Sequence, residues 1–130
     1  MFNTYYPDVY VLDKSQKTAT VNPYIARLLN SIFLEGILLK AGNINIEPYE
    51  KTARVRYRKN GRLYEKMGFS MDMYPAITTM LKLMSGMSIA ENSIPQEGVI
   101  TVFVNDSEYH FNISTLPVVF GEKFVVQCDL

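Results

Sequence analysis

The 130-residue sequence has no tryptophan, one histidine and one cysteine. A lone cysteine, Cys128, excludes an internal disulfide and is compatible with a reducing compartment. One histidine, one cysteine and scattered carboxylates do not make a tetrahedral metal site, so no metal is expected. Net charge is missing too. Thirteen basic residues balance thirteen acidic ones, which argues against a general nucleic-acid binder. No apolar run approaches the roughly 18 residues of a membrane span. The longest candidate, LLNSIFLEGILL, is broken by Asn30, Ser31 and Glu35. The opening MFNTYYPDVY lacks both a basic start and an apolar stretch, so no signal peptide is expected. Nothing matches the phosphate-binding pattern GxxxxGK[ST]. These absences predict a cytoplasmic domain with no direct membrane insertion and no catalytic residues of its own.

What is present is enough for one globular core. The 48% hydrophobic content supports a globular fold rather than disorder, and the length suits a single domain. Residues 1 to 21 read as an arm or linker, with a short strand over Val9 to Leu12. Asn22-Pro23 predicts a helix start. Apolar positions Ile25, Leu28, Leu29 and Ile32 carry that helix to about residue 41, with Gly42 as its C-terminal cap. Three alternating segments follow, at 44–48, 53–58 and 62–67, with Asn60-Gly61 as a hairpin turn. A second helix is expected from Tyr74-Pro75 to Ser85, capped by Gly86, with Ile77, Leu81 and Met84 as its stripe. A short element at 88–92, a strand at 99–104, a turn at Asn105-Asp106 and a strand through EYHFNIS complete the order, with a last strand at 123–128. Helix, three strands, helix, three strands predicts an α+β domain with helices packed on an antiparallel sheet.

Few side chains offer chemistry. His110 falls on the polar face of its strand, in line with Asn112 and Ser114, which aims none of them at a common point. The clearest surface feature is Arg54, Arg56 and Arg58 on one face of one strand, with Lys51, Lys59 and Arg62 nearby. Such a row is either a solvated sheet face or a contact for phosphate or an acidic partner. Nucleic acid is disfavoured, because Tyr57 should point away and leave no stacking set on that face.

The stretches AGNINIEPYEKTARVRYRKNGRLYE, KLMSGMSIAENSIPQEG and NISTLPVVFGEKFVV follow one another between residues 41 and 126, within a likeness that covers about residues 22 to 128. In that order they resemble the second N-terminal domain of the type II secretion and type IV pilus assembly ATPases, the GspE/PilB family. The resemblance implies a PAS-like fold for residues 22–130. It also implies a neighbouring RecA-like ATPase domain, which in the family carries the nucleotide-binding motifs. This chain departs from the family at several polar positions. Asn43 and Asn45 replace Asp and His, and Asn92 and Ser93 replace two arginines. Val99, Asn112 and Gln127 also stand where the family has arginine. In the family the last two arginines reach toward nucleotide phosphates. Arginine suits that task because its guanidinium fork stays charged and contacts phosphate bidentately; Asn and Gln keep the hydrogen bonding without the charge.

The resemblance therefore implies a non-catalytic assembly or coupling domain. Its expected partners are an ATPase domain, in the same or another chain, or an inner-membrane platform protein. ATP would be met only through that ATPase domain, and no cofactor is expected on this one. Arg56, Arg58 and Lys123, in its Gly-Glu-Lys segment, are the expected interface or phosphate-facing residues. Asn112 and Gln127 are the positions where nucleotide contact has been lost. The alternative is a PAS-like small-molecule sensor, which would need an internal cavity.

Overall fold

The structure, a computed structural model, describes residues 9–11, 23–104 and 106–128. Strand β1 spans Val9–Val11 and helix α1 spans Pro23–Leu39. Strands β2, β3 and β4 span Asn43–Pro48, Thr52–Lys59 and Arg62–Ser70. A 3-10 turn at Met71–Met73 leads into helix α2, Tyr74–Ser85. Strands β5, β6 and β7 span Gln96–Val104, Ser107–Val118 and Gly121–Cys128. All pairings are antiparallel, in the order β1-β5-β6-β7-β2-β3-β4. Two meanders, β2-β3-β4 and β5-β6-β7, are thus joined where β7 pairs with β2, Ile44 opposite Val126. This is the expected PAS-like α+β sheet.

Alternation explains the layering. In β2, β3 and β6 every second side chain is buried: Ile44 and Ile46, Val55 and Tyr57, Phe111 and Ile113. These meet Leu29, Ile32 and Phe33 of α1 and Ile77, Leu81 and Met84 of α2 in one core. Burying each such side chain contributes about 1.5–3 kcal/mol. Phe33 lies against Phe111 with ring centroids 5.4 Å apart. The hydroxyl of Tyr57 stays satisfied in this core by donating to the carbonyl of Ile32 at 2.8 Å.

Several boundaries differ from the sequence expectation. The left-handed residue after α1 is Lys40 (φ 55°), not Gly42. Gly42 already belongs to the sheet, its N–H bonded to the Arg58 carbonyl at 2.8 Å and its carbonyl to the Cys128 N–H at 3.0 Å. The turn must finish before Asn43 to deliver β2 in register. Residues 88–92 form no regular element, and β5 begins at Gln96, three residues early. Gly98 permits that extension: a Cβ there would lie 2.3 Å from the Ser85 carbonyl oxygen at the end of α2. Strand β4 runs on to Ser70 through a bulge between Val55 and Arg56. Asn22 and Asn105, assigned to a cap and a turn, lie outside the described residues, as does most of the 1–21 arm.

Candidate functional site

The core-facing residues cover one side of the sheet, and the intervening residues define the other. This open face carries the positions singled out in the sequence. Register places Leu63, Arg58, Asn43, Gln127, Asn112 and Val99 in one row across six strands. The next row runs Glu65, Arg56, Asn45, Val125, Ser114, Glu97. Arg58 and the arginine-less positions Asn112 and Gln127, remote in sequence, therefore share one line. All three are exposed. An open groove of about 420 Å³ lies along Glu97, Asn112, Ser114, Val125 and Gln127.

The cations differ in their freedom. Arg56 donates through Nε to Glu47 Oε1 at 2.9 Å and forms a second bond through Nη2. Lys123 Nζ lies 3.3 Å from Glu47 Oε2. One carboxylate thus holds two of the three predicted cations. Burial raises the Glu47 pKa, but hydrogen bonds from Arg56 and Lys123 and their charges outweigh it and leave the group below its usual value. The same bonding to Glu47 raises the Arg56 pKa against the opposing effect of burial. Arg54 lies 3.7 Å from Glu65 and stacks its guanidinium 4.6 Å from the Tyr49 ring centre. Arg58 is exposed and has no ion-pair partner among the described residues. Of Arg56, Arg58 and Lys123 it is the one left without an ion pair.

The Gly-Glu-Lys segment divides between two faces. Lys123 joins Glu47 on the open face, whereas Glu122 turns inward and is 4% exposed. Its Oε1 meets Lys82 Nζ of α2 at 2.6 Å. Lys82 also donates to the carbonyl of Glu91 at 2.5 Å, and Tyr74 donates to the Glu122 carbonyl at 2.5 Å. Nothing in the sequence signalled Lys82, which sits among Leu81, Leu83 and Met84. Glu47 was foreseeable from alternation, which places it on the arginine side of β2. His110 bonds within its own surface, to Thr101 at 3.2 Å and Glu108 at 2.7 Å. Among the described residues, no three His, Cys, Asp or Glu side chains group in a way that could hold a metal. No helix among them is long and apolar enough to cross a membrane.

A conserved-family pattern described as Type II/IV secretion system protein matches residues 18–128. The chain belongs to this family. Over 117 residues it is 38% identical to the type IV pilus assembly ATPase PilB of Myxococcus xanthus, covering 89% of this chain and 20% of that protein. It is 35% identical over 104 residues to PilB of Pseudomonas aeruginosa and 34% over 103 to the type II secretion system protein E of Xanthomonas campestris. Each of these two alignments covers 79% of this chain and 18% of the relative. The chain thus spans about a fifth of the length of the curated relatives it matches. The resemblance read from the spaced motifs is the family membership found here.

Proposed function

We propose that this secretion-family domain is a non-catalytic assembly and coupling unit, comprising residues 22–130 with residues 1–21 as an arm. It docks its open sheet face on a RecA-like ATPase domain, in the same or another chain, at the cytoplasmic side of the inner membrane. An inner-membrane platform protein is the second protein partner. The observation that carries the reading is the single row joining Arg58 to Gln127 and Asn112. It presents one free cation and a run of amides where the family resemblance implies phosphate-facing arginines. Such a face can hydrogen-bond a protein surface yet supply little charge to a nucleotide. ATP therefore meets the assembly through the ATPase domain, with no cofactor on this one and no nucleic acid as partner.

Calorimetric titration of the 130-residue chain into the part of Myxococcus xanthus PilB outside the matched region tests this. Binding is expected, weakened about tenfold by Arg58→Glu. Asn112→Arg with Gln127→Arg should raise the ATP affinity of the complex. Failure to bind sinks the docking reading; binding without a gain in ATP affinity removes the role assigned to positions 112 and 127.

A further inference from the structure

The open face differs in sign between its two ends. Residues 83–121 hold no lysine or arginine. Strands β5 and β6 therefore carry Glu97 and Glu108 without a lysine or arginine of their own, and His110 is bonded to Glu108 and Thr101. Glu97 is exposed on β5 and has no ion-pair partner among the described residues. It stands opposite Ser114, with Asn112 two positions along β6. Val125 and Gln127 of β7 face those two residues. Together they line the open groove of about 420 Å³, in which Glu97 is the one charged residue among the described residues. The lysine of β7, Lys123, is drawn to Glu47 at 3.3 Å. Arg58 is too far to neutralise Glu97. Strand order puts β3 four positions from β5. At about 4.8 Å per strand the two charges stand roughly 20 Å apart, well beyond the ~8 Å screening length of physiological salt.

The groove is thus a set of acceptors around one negative charge. A phosphate would meet the Glu97 carboxylate there and no cation. A guanidinium suits it. Its planar N–H donors can spread over the Glu97 carboxylate, the Ser114 hydroxyl and the amide oxygens of Asn112 and Gln127. Val125 offers the apolar surface along which an arginine stem lies. We propose that the groove receives an arginine side chain of the docked ATPase domain, with Glu97 as its counter-ion. The inference rests on the docking reading above and adds the partner's chemistry to it. The partner's contact surface then carries two opposite charges roughly 20 Å apart, an arginine for Glu97 and a carboxylate for Arg58. Turning the partner end for end on the sheet would set like charges against each other, so the two contacts fix its orientation.

Two measurements on the 130-residue chain test it. The first needs no partner. N-acetyl-argininamide should shift the NMR signals of Asn112, Ser114 and Gln127, and Glu97→Gln should weaken that binding about threefold. Inorganic phosphate at the same ionic strength should leave the signals in place. In the second, Glu97→Lys should weaken binding to the part of Myxococcus xanthus PilB outside the matched region about tenfold and flatten its salt dependence. Glu97 is exposed, so thermal unfolding of either variant should match the parent. No response to the arginine probe, an equal response to phosphate, or an arginine response unchanged by Glu97→Gln overturns the inference. Docking unchanged by Glu97→Lys also overturns it, while leaving docking itself standing. Absence of docking with the arginine response intact instead removes the docking reading and leaves the groove a guanidinium site.

Discussion

Lys82 and Glu122 are among the most buried side chains in the protein, and both are ionisable. Their 2.6 Å contact ties the last turn of α2 to the start of β7, while the Lys82–Glu91 bond adds the connection before β5. Glu122 Oε2 has no hydrogen-bond partner among the described residues. The pair is therefore incompletely compensated, and removing either member leaves the other charge buried alone. Lys82→Met or Glu122→Leu should each destabilise by about 3–5 kcal/mol, whereas Lys82→Met with Glu122→Leu should recover much of that loss. Urea unfolding of the three variants measures it, and additive losses in the double variant would contradict the coupling. Glu47 sets a second expectation. Its folded pKa is depressed, so its contribution is present above the unfolded carboxylate value near 4.3 and is lost as pH falls through the lower folded value. Glu47→Gln should lower stability at neutral pH by roughly 1 kcal/mol and flatten the loss between about pH 4.5 and the acid limit. Unfolding curves from pH 7 to 2 report both effects, and an unchanged acid limb would exclude Glu47 as its source.

At the scale of elements, β5 is decided by its neighbours. Its first residues are charged, polar or glycine, and periodicity gave no reason to begin a strand before Val99. The Gln96 N–H finds Thr115 Oγ1 at 3.0 Å, and its side chain accepts from Ser88 N–H at 2.8 Å. Gly98 then passes beneath the end of α2 with no room for a methyl group. Gly98→Ala should cost about 1–3 kcal/mol, because the atom it would strike is backbone and cannot rotate away. A melting temperature within a degree of the parent would show that α2 can lift off the sheet instead. By contrast, β2, β3, β6 and α2 were legible in the chain itself. Their burial follows local alternation or helical spacing, the Asn60-Gly61 turn takes the positive φ values such a hairpin needs, and Gly86 caps α2 in the left-handed region. The end of α1 was misplaced by two residues because Lys40 adopts a conformation that glycine ordinarily supplies.

For the molecule as a whole, the side of each strand that faces water was readable, but what stands beside it was not. Alternation alone put Arg56 and Arg58 on one face of β3 and Asn112 on one face of β6. It could not report that β7 pairs with β2, and that pairing brings Gln127 and Asn112 into line with Arg58. Nor could it report that Arg56 and Lys123 share Glu47, which leaves Arg58 as the one of these three cations without an ion pair among the described residues. Side-chain periodicity is a property of the local backbone and survives in any compact arrangement of the strands. Strand order and ion pairing depend on contacts between residues far apart in the chain, whose partners are chosen only when the two meanders close on each other around the core. Family, fold class and the polar character of the open face were therefore written in consecutive residues. Which charges remain free on that face, and whether Glu122 points to solvent or to Lys82, was settled by tertiary packing.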